Sequence, residues 1–396
     1  MHHSLLKASA HAAILAGLIL GTAGSSLAGG FLETDLVANK TPLTDGNGIV
    51  HTAPIQDRNL LNPWGLTASS GSPFWVADNG AGVSTLYNTA GTPQTLVVSI
   101  PAPGDPLGKK GTPTGAVFNI VPTAQGAFEI SGVKLDGTPT KAPATFLFAT
   151  EDGTILGWNG SVFPIEDQNR VSPNTHAIIA VDHSMSGAVY KGLAIATDAL
   201  GRTRLYATNF HAGTVEVFDT DFVPATPLGA FADSRLPRNY APFNIAPVGS
   251  ASPPATAARL VVTFAVQDAA RHDDVAGMSH GIVDTFDLGG QSFQRLIQHG
   301  QLNSPWGVAL APASFGPLAG SLLIGNFGNG HINAYNPVTG EFIDKLRDGH
   351  GQAIVIDGLW SLRVGNGGNG GKTDTVYFTA GPNDEKDGLF GSLAPN

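Results

Sequence analysis

The chain has no cysteine among its 396 residues, which excludes disulfide staples, thiolate metal sites and a cysteine nucleophile together. Charge is scarce as well. Asp, Glu, Lys and Arg make up 13% of the sequence, too little for long helices held by ion pairs. Positive charge is the scarcer sign, with 21 Lys and Arg against 31 Asp and Glu, and the net charge of −10 argues against a nucleic-acid partner or an anionic membrane surface. A serine nucleophile elbow, a phosphate-cradling Walker loop and a His-Glu-x-x-His helix are all missing. So is a convincing transmembrane run: the apolar stretch at residues 12–21 is too short to span a bilayer comfortably.

That stretch belongs to an export signal. His2, His3 and Lys7 form a weakly basic start, the apolar run follows, and Ser26-Leu27-Ala28 offers small residues where a signal peptidase reads. Residues 1–28 are therefore expected to be cleaved before Gly29, with a retained N-terminal anchor as the alternative. The mature chain, residues 29–396, is then secreted or periplasmic, has no membrane span, and carries −11 once Lys7 is lost.

What is abundant is glycine (51) and proline (27), the punctuation of many short strands and tight turns. The phrase Asn62-Pro63-Trp64-Gly65-Leu66, followed by Phe74-Trp75-Val76-Ala77-Asp78-Asn79, returns as Ser304-Pro305-Trp306-Gly307-Val308 and Leu322-Leu323-Ile324-Gly325-Asn326. Aligning on it gives six units. Each has an apolar strand carrying glycine, a second strand ending in a polar cluster, and a third rich in β-branched or aromatic residues, the fourth unit being diverged. The last unit lacks a fourth strand, and residues 31–38 alternate apolar and polar with no partner of their own. Pairing the two would close a ring and cover both sheet edges. The expected fold is all-β, a six-bladed β-propeller closed by the N-terminal strand, with seven blades as the alternative.

Unequal spacing places insertions at residues 101–112, 122–142, 163–189, 223–239, 247–257 and 269–280, all read as loops because the repeat resumes in register after each. No domain boundary is expected within residues 31–393.

The phrases Pro305-Trp306-Gly307-Val308-Ala309-Leu310 and residues 322–335 resemble the NHL-type propeller blade over nearly the whole mature chain. More narrowly, Leu60-Leu61-Asn62-Pro63-Trp64-Gly65-Leu66 looks like an uncharacterised family of exported bacterial propellers, some of which carry a PEP-CTERM sorting tail. This chain ends Ser392-Leu393-Ala394-Pro395-Asn396 without such a tail. NHL-like propellers include lyases, lactonases and pure binding modules, so the resemblance implies architecture and leaves the activity open.

In a propeller the residue entering each first strand and the residues leaving each second strand emerge on one face. The entering positions are Trp64, Thr114, Lys191, Phe243, Trp306 and Trp360. The aromatics and Lys191 are candidate ligand-binding residues for a small molecule, a glycan or a protein; equally, the rings could serve as wedges between blades. The leaving positions supply Asp78, Glu151, Asp152, Asn209, Asp268, Asn326 and Asp384 as candidate ligands for calcium or another divalent metal, unless they only tie their own turns. His211, His272 and Asp273 are the candidate catalytic groups, as a base and its orienting carboxylate. Two readings follow: an exported binding or scaffold propeller that uses the channel mouth, or a divalent-metal-assisted hydrolase, lactonase or lyase with its ion at the channel.

Overall fold

The structure, a computed structural model, describes residues 29–249 and 259–396. The expected export signal and residues 250–258 of the blade IV insertion lie outside the described residues.

Six antiparallel sheets follow one another in chain order, each led by its glycine- or proline-bearing strand. Blade I is built from Pro63–Thr67, Phe74–Asp78, Val83–Tyr87 and Val98–Ser99. Blade II uses Pro113–Phe118, Phe146–Thr150, Thr154–Trp158 and Ile178–Asp182. Blade III has three strands, Tyr190–Thr197, Thr203–Asn209 and Thr214–Phe218. Blade IV has Tyr240–Val248, Arg259–Val266, Ile282–Phe286 and Gln294–Gln298, and blade V has Pro305–Leu310, Leu322–Asn326, Ile332–Tyr335 and Phe342–Lys345. Blade VI contributes Leu359–Val364, Val376–Ala380 and Leu389–Pro395, and Phe31–Ala38 pairs antiparallel with the last of these as its outermost full strand.

Two insertions expected to be plain loops carry strands. Residues 122–142 include most of a hairpin, Glu129–Val133 with Pro139–Pro143, and residues 163–189 include the outer strand of blade II. Neither segment alternates clearly enough to announce a strand, because few of its positions are fully buried.

Packing follows the same sixfold logic. Six apolar cores lie one at each junction between neighbouring blades, as expected for units that cannot bury both faces alone. A seventh core, made of Trp64, Phe210, Phe243, Trp306 and Trp360 with two alanines, lies on the axis where blades I, III, IV, V and VI meet.

The axial core exists because every inner strand slips register near its start. The irregularity falls at Trp64 and Gly65, at Thr114 and Gly115, at Lys191, at Phe243, at Trp306, and at Trp360 and Ser361. A β-bulge re-aims the side chain it carries, and here it turns the entering residue of each blade toward the axis. Glycine beside the bulge lets neighbouring inner strands touch: a Cβ on Gly65 would lie 2.4 Å from the Thr114 carbonyl oxygen, and one on Gly115 2.4 Å from the Leu193 nitrogen. Hydrogen bonds tie the same positions between blades. Thr114 Oγ1 donates to the Tyr190 carbonyl (2.7 Å), Asn244 Nδ2 to the Trp306 carbonyl (2.7 Å) and Thr379 Oγ1 to the Trp64 carbonyl (2.6 Å).

Candidate functional site at the channel mouth

The entering aromatics do not line an open mouth. Trp64 and Trp360 are each 1% exposed, Trp306 3% and Phe243 0%, because the bulges point them at one another instead of at solvent. Trp64 stacks on Trp360 with ring centroids 3.5 Å apart, and Phe327 stacks on the other rim of the group at 4.0 Å from Trp360. The candidate ligand-binding aromatics Trp64, Phe243, Trp306 and Trp360 therefore offer no exposed ring face at the mouth: these rings plug the channel. Thr114 is also buried and spent on the blade II to III contact.

Lys191 differs from its five counterparts. Its ammonium lies 5.1 Å from the centre of the Trp64 ring, within the range of a cation–π contact. It donates to Glu151 Oε1, and to Asp273 Oδ1 at 3.2 Å, with its own side chain only 2% exposed. Burial works against the charge, but Glu151 and Asp273 outweigh it and hold the lysine pKa above its ordinary value. The three residues come from separate segments: the end of the second strand of blade II, the bulge of blade III, and the insertion of blade IV.

A polar network continues from this centre. Asn79 Nδ2 donates to Glu151 Oε2 (2.8 Å), Asn62 Nδ2 to Glu385 Oε2 (2.6 Å), and Trp360 Nε1 to Asn62 Oδ1 (3.0 Å). Glu385 is pushed up to about 7, first by burial and then by the charge of Glu151, which the Asn62 hydrogen bond and Lys191 only partly offset. Asp274 is likewise raised by burial. Asp273 is held below the usual carboxylate range: burial opposes this, and Lys191 and His272 prevail. His272 Nδ1 lies 2.9 Å from Asp273 Oδ1, the base and orienting carboxylate that the sequence suggested. The two reach the mouth because Asp268 Oδ1 accepts from the backbone nitrogens of His272 (2.8 Å) and Asp273 (3.3 Å), folding the insertion back over the channel.

The other candidate metal ligands do not join them. Asp78 is fully buried and accepts from the Thr85 nitrogen and hydroxyl, with burial raising its pKa well above normal. Asp152 accepts from Thr112, Asn209 from Val189 and Ala212, and Asn326 donates to the Gln301 carbonyl. Asp384 is 94% exposed and faces Lys386. His211 stands beside Gly187 in the blade II to III connection. The leaving-strand clusters are thus spent within their own blades, and Glu151 with the blade IV insertion makes the mouth. Asn62, which bridges Trp360, Asn79 and Glu385, carried no signal except its place before Pro63 in the repeat phrase.

Sequence reasoning also missed a second acidic group. Donor atoms of Glu33, Asp35 and His51 lie within 4.8 Å of one another at the outer strand of blade VI. His51 Nδ1 is 3.1 Å from Asp35, and Nε2 is 3.6 Å from the buried Asp45. Glu33 is pushed up to about 7 by burial and by Asp35. The spacing of Glu33 and Asp35, two residues apart on a strand, puts both on one face and was the available clue.

No protein-family model matches the chain. It is similar to an uncharacterised protein of Acanthamoeba polyphaga mimivirus, 29% identical over 366 residues that cover 90% of this chain and 78% of that protein. A second uncharacterised protein of the same virus is 29% identical over 348 residues, covering 85% of this chain and 81% of its own length. These relatives are viral and lend no support to the narrower likeness to exported bacterial propellers. Among solved structures, a structural-genomics protein of unknown function from Bacteroides thetaiotaomicron superposes with a TM-score of 0.51 at 10% identity, covering 93% of this chain and 76% of that chain. A virginiamycin B lyase from Staphylococcus aureus superposes with a TM-score of 0.44 at 10% identity, covering 92% of this chain and 99% of that one. At such identity the first likeness is one of fold.

Proposed function

We propose that the protein is a binding propeller whose channel mouth receives the cationic group of a small molecule, a glycan or a protein partner. The observation that supports this is the gathering of Glu151, Asp273, Asp274 and Glu385 around the single ammonium of Lys191. The four carboxyl groups offer more acceptor oxygens than one ammonium can occupy, and burial raises the pKa of Glu385 and Asp274. The side chains of Asp273 and His272 remain 66% and 45% exposed, so acceptor capacity faces outward from a buried and preorganised base. Calorimetric titration of the full chain with spermidine at low salt tests the reading. Saturable binding is expected, weakened about tenfold in Asp273→Asn, the order of one charge-assisted hydrogen bond, and unchanged in Asp384→Asn. Equal binding by Asp273→Asn, or no saturable binding at millimolar spermidine, would overturn it.

The metal-assisted hydrolase or lyase reading has one observation in its favour: donor atoms of Glu151, His272 and Asp273 lie within 4.8 Å of one another. Lys191 already bonds two of the three, so a divalent ion there competes with a resident ammonium. The cation-binding reading needs no such displacement and is preferred.

A further inference from the structure

Beyond the aromatic plug the channel opens again. On the side away from Lys191 the inner strands of all six blades line a cavity of ≈ 270 Å³. Leu66, Val117, Leu193, Ile245, Val308 and Leu362 supply an apolar wall around it, and Trp306 reaches it from the plug. Among the described residues Arg363 is the one charged residue in the lining, which includes no Asp or Glu. Its Nη2 donates to the Ala68 carbonyl at 3.0 Å, while Nε is buried with no partner.

An unpaired guanidinium in an apolar surround is costly, and buried charges are as a rule paired. Burial pushes the Arg363 pKa down to about 10, with no carboxylate to oppose it. Residues 1–28 and 250–258, which lie outside the described residues, contain no Asp or Glu either. The chain therefore has no side-chain carboxylate to bring to this arginine from those segments.

We propose that this cavity is a second binding site, which takes a small amphiphilic carboxylate with its head on Arg363 and its apolar body along the inner-strand wall. Guanidinium and carboxylate match in geometry and charge, and the pair is stronger for being shielded from water. The volume lies just under the range of about 300–1,000 Å³ usual for ligand pockets, which favours a short chain over a long lipid. The site is separated from the mouth by the packed rings of Trp64, Trp306 and Trp360, so it stands independently of the cation-binding reading.

Octanoate is the probe, with octylamine to reverse the charge and acetate to remove the body. Thermal melting and calorimetry of the full chain should show saturable octanoate binding that raises Tm, with octylamine and acetate at least about tenfold weaker. Arg363→Met should weaken octanoate about tenfold or more while leaving spermidine binding at the mouth unchanged. Octylamine binding as well as octanoate, Arg363→Met binding octanoate like the parent, or no octanoate-dependent rise in Tm each contradicts the proposal. The comparison of the three probes needs only the parent protein, so it decides the question even where the variant does not fold.

Discussion

Among the described residues the channel holds a buried lysine and a half-buried arginine, and they differ in the company the chain gives them. Lys191 reaches Glu151 and Asp273 from two other segments and rests over Trp64. Arg363, on the far side of the plug, has one carbonyl and an orphaned Nε. Lys191 sits at the bulge of its inner strand and Arg363 three residues past the corresponding position, so the repeat decides which end each cation faces but not the difference in company. That difference arises from insertions: blade IV sends Asp273 over the mouth, and among the described residues no carboxylate lines the opposite end. A charge completed from within the chain builds a scaffold for further contacts, whereas a charge left incomplete marks a place for a ligand.

Removing the wall between the two ends gives the largest expected effect. Trp360 stacks on both Trp64 and Phe327, and truncating so large a buried ring costs about 3–5 kcal/mol. Trp360→Ala should show that loss in urea denaturation and should let occupation of one end affect the other. A loss below about 1 kcal/mol would mean that the rings are not the axial core.

A smaller effect sharpens the account of the mouth. Glu385 faces Asn62, Glu151, Lys191 and Asp274 and is held near 7 in the folded chain against an ordinary 4.5. Because the native state then keeps a proton that the unfolded state releases, stability should fall as pH rises from about 4.5 to about 7 and level off above. The loss is on the order of 3 kcal/mol, and the difference between the parent and Glu385→Gln across that window isolates it from the other raised carboxyls. Identical pH profiles for the two proteins would show that Glu385 is not raised by burial at the mouth.

Much of the fold was legible because the repeat phrase states the same physical requirement six times. Proline or an apolar residue opens each inner strand, an aromatic, lysine or, in blade II, threonine takes the bulge, and in four of the six blades glycine follows to allow close approach. Blade IV, with Asn244 in the glycine position, is diverged in sequence, and there Asn244 supplies a hydrogen bond to Trp306. The site was legible only in outline. Lys191, Glu151, His272 and Asp273 could be named from where copies of the phrase differ or from a charged insertion, but their convergence depends on how that insertion folds back. Burial of the aromatics was unreadable because a ring facing the axis and a ring facing a ligand have the same sequence pattern. Arg363 follows three residues after Trp360 in an otherwise ordinary strand, and nothing local shows that no acid comes near it.

Whether one channel cation is paired and the other awaits a partner is decided by unfolding Lys191→Met and Arg363→Met side by side in urea after refolding free of ligand. Lys191→Met strands Glu151 and Asp273 and should lose about 3 kcal/mol. Arg363→Met removes a half-buried charge with no carboxylate partner and should lie within about 0.5 kcal/mol of the parent or above it. If Arg363→Met loses as much as Lys191→Met, the arginine is already satisfied and the contrast between the two ends is false.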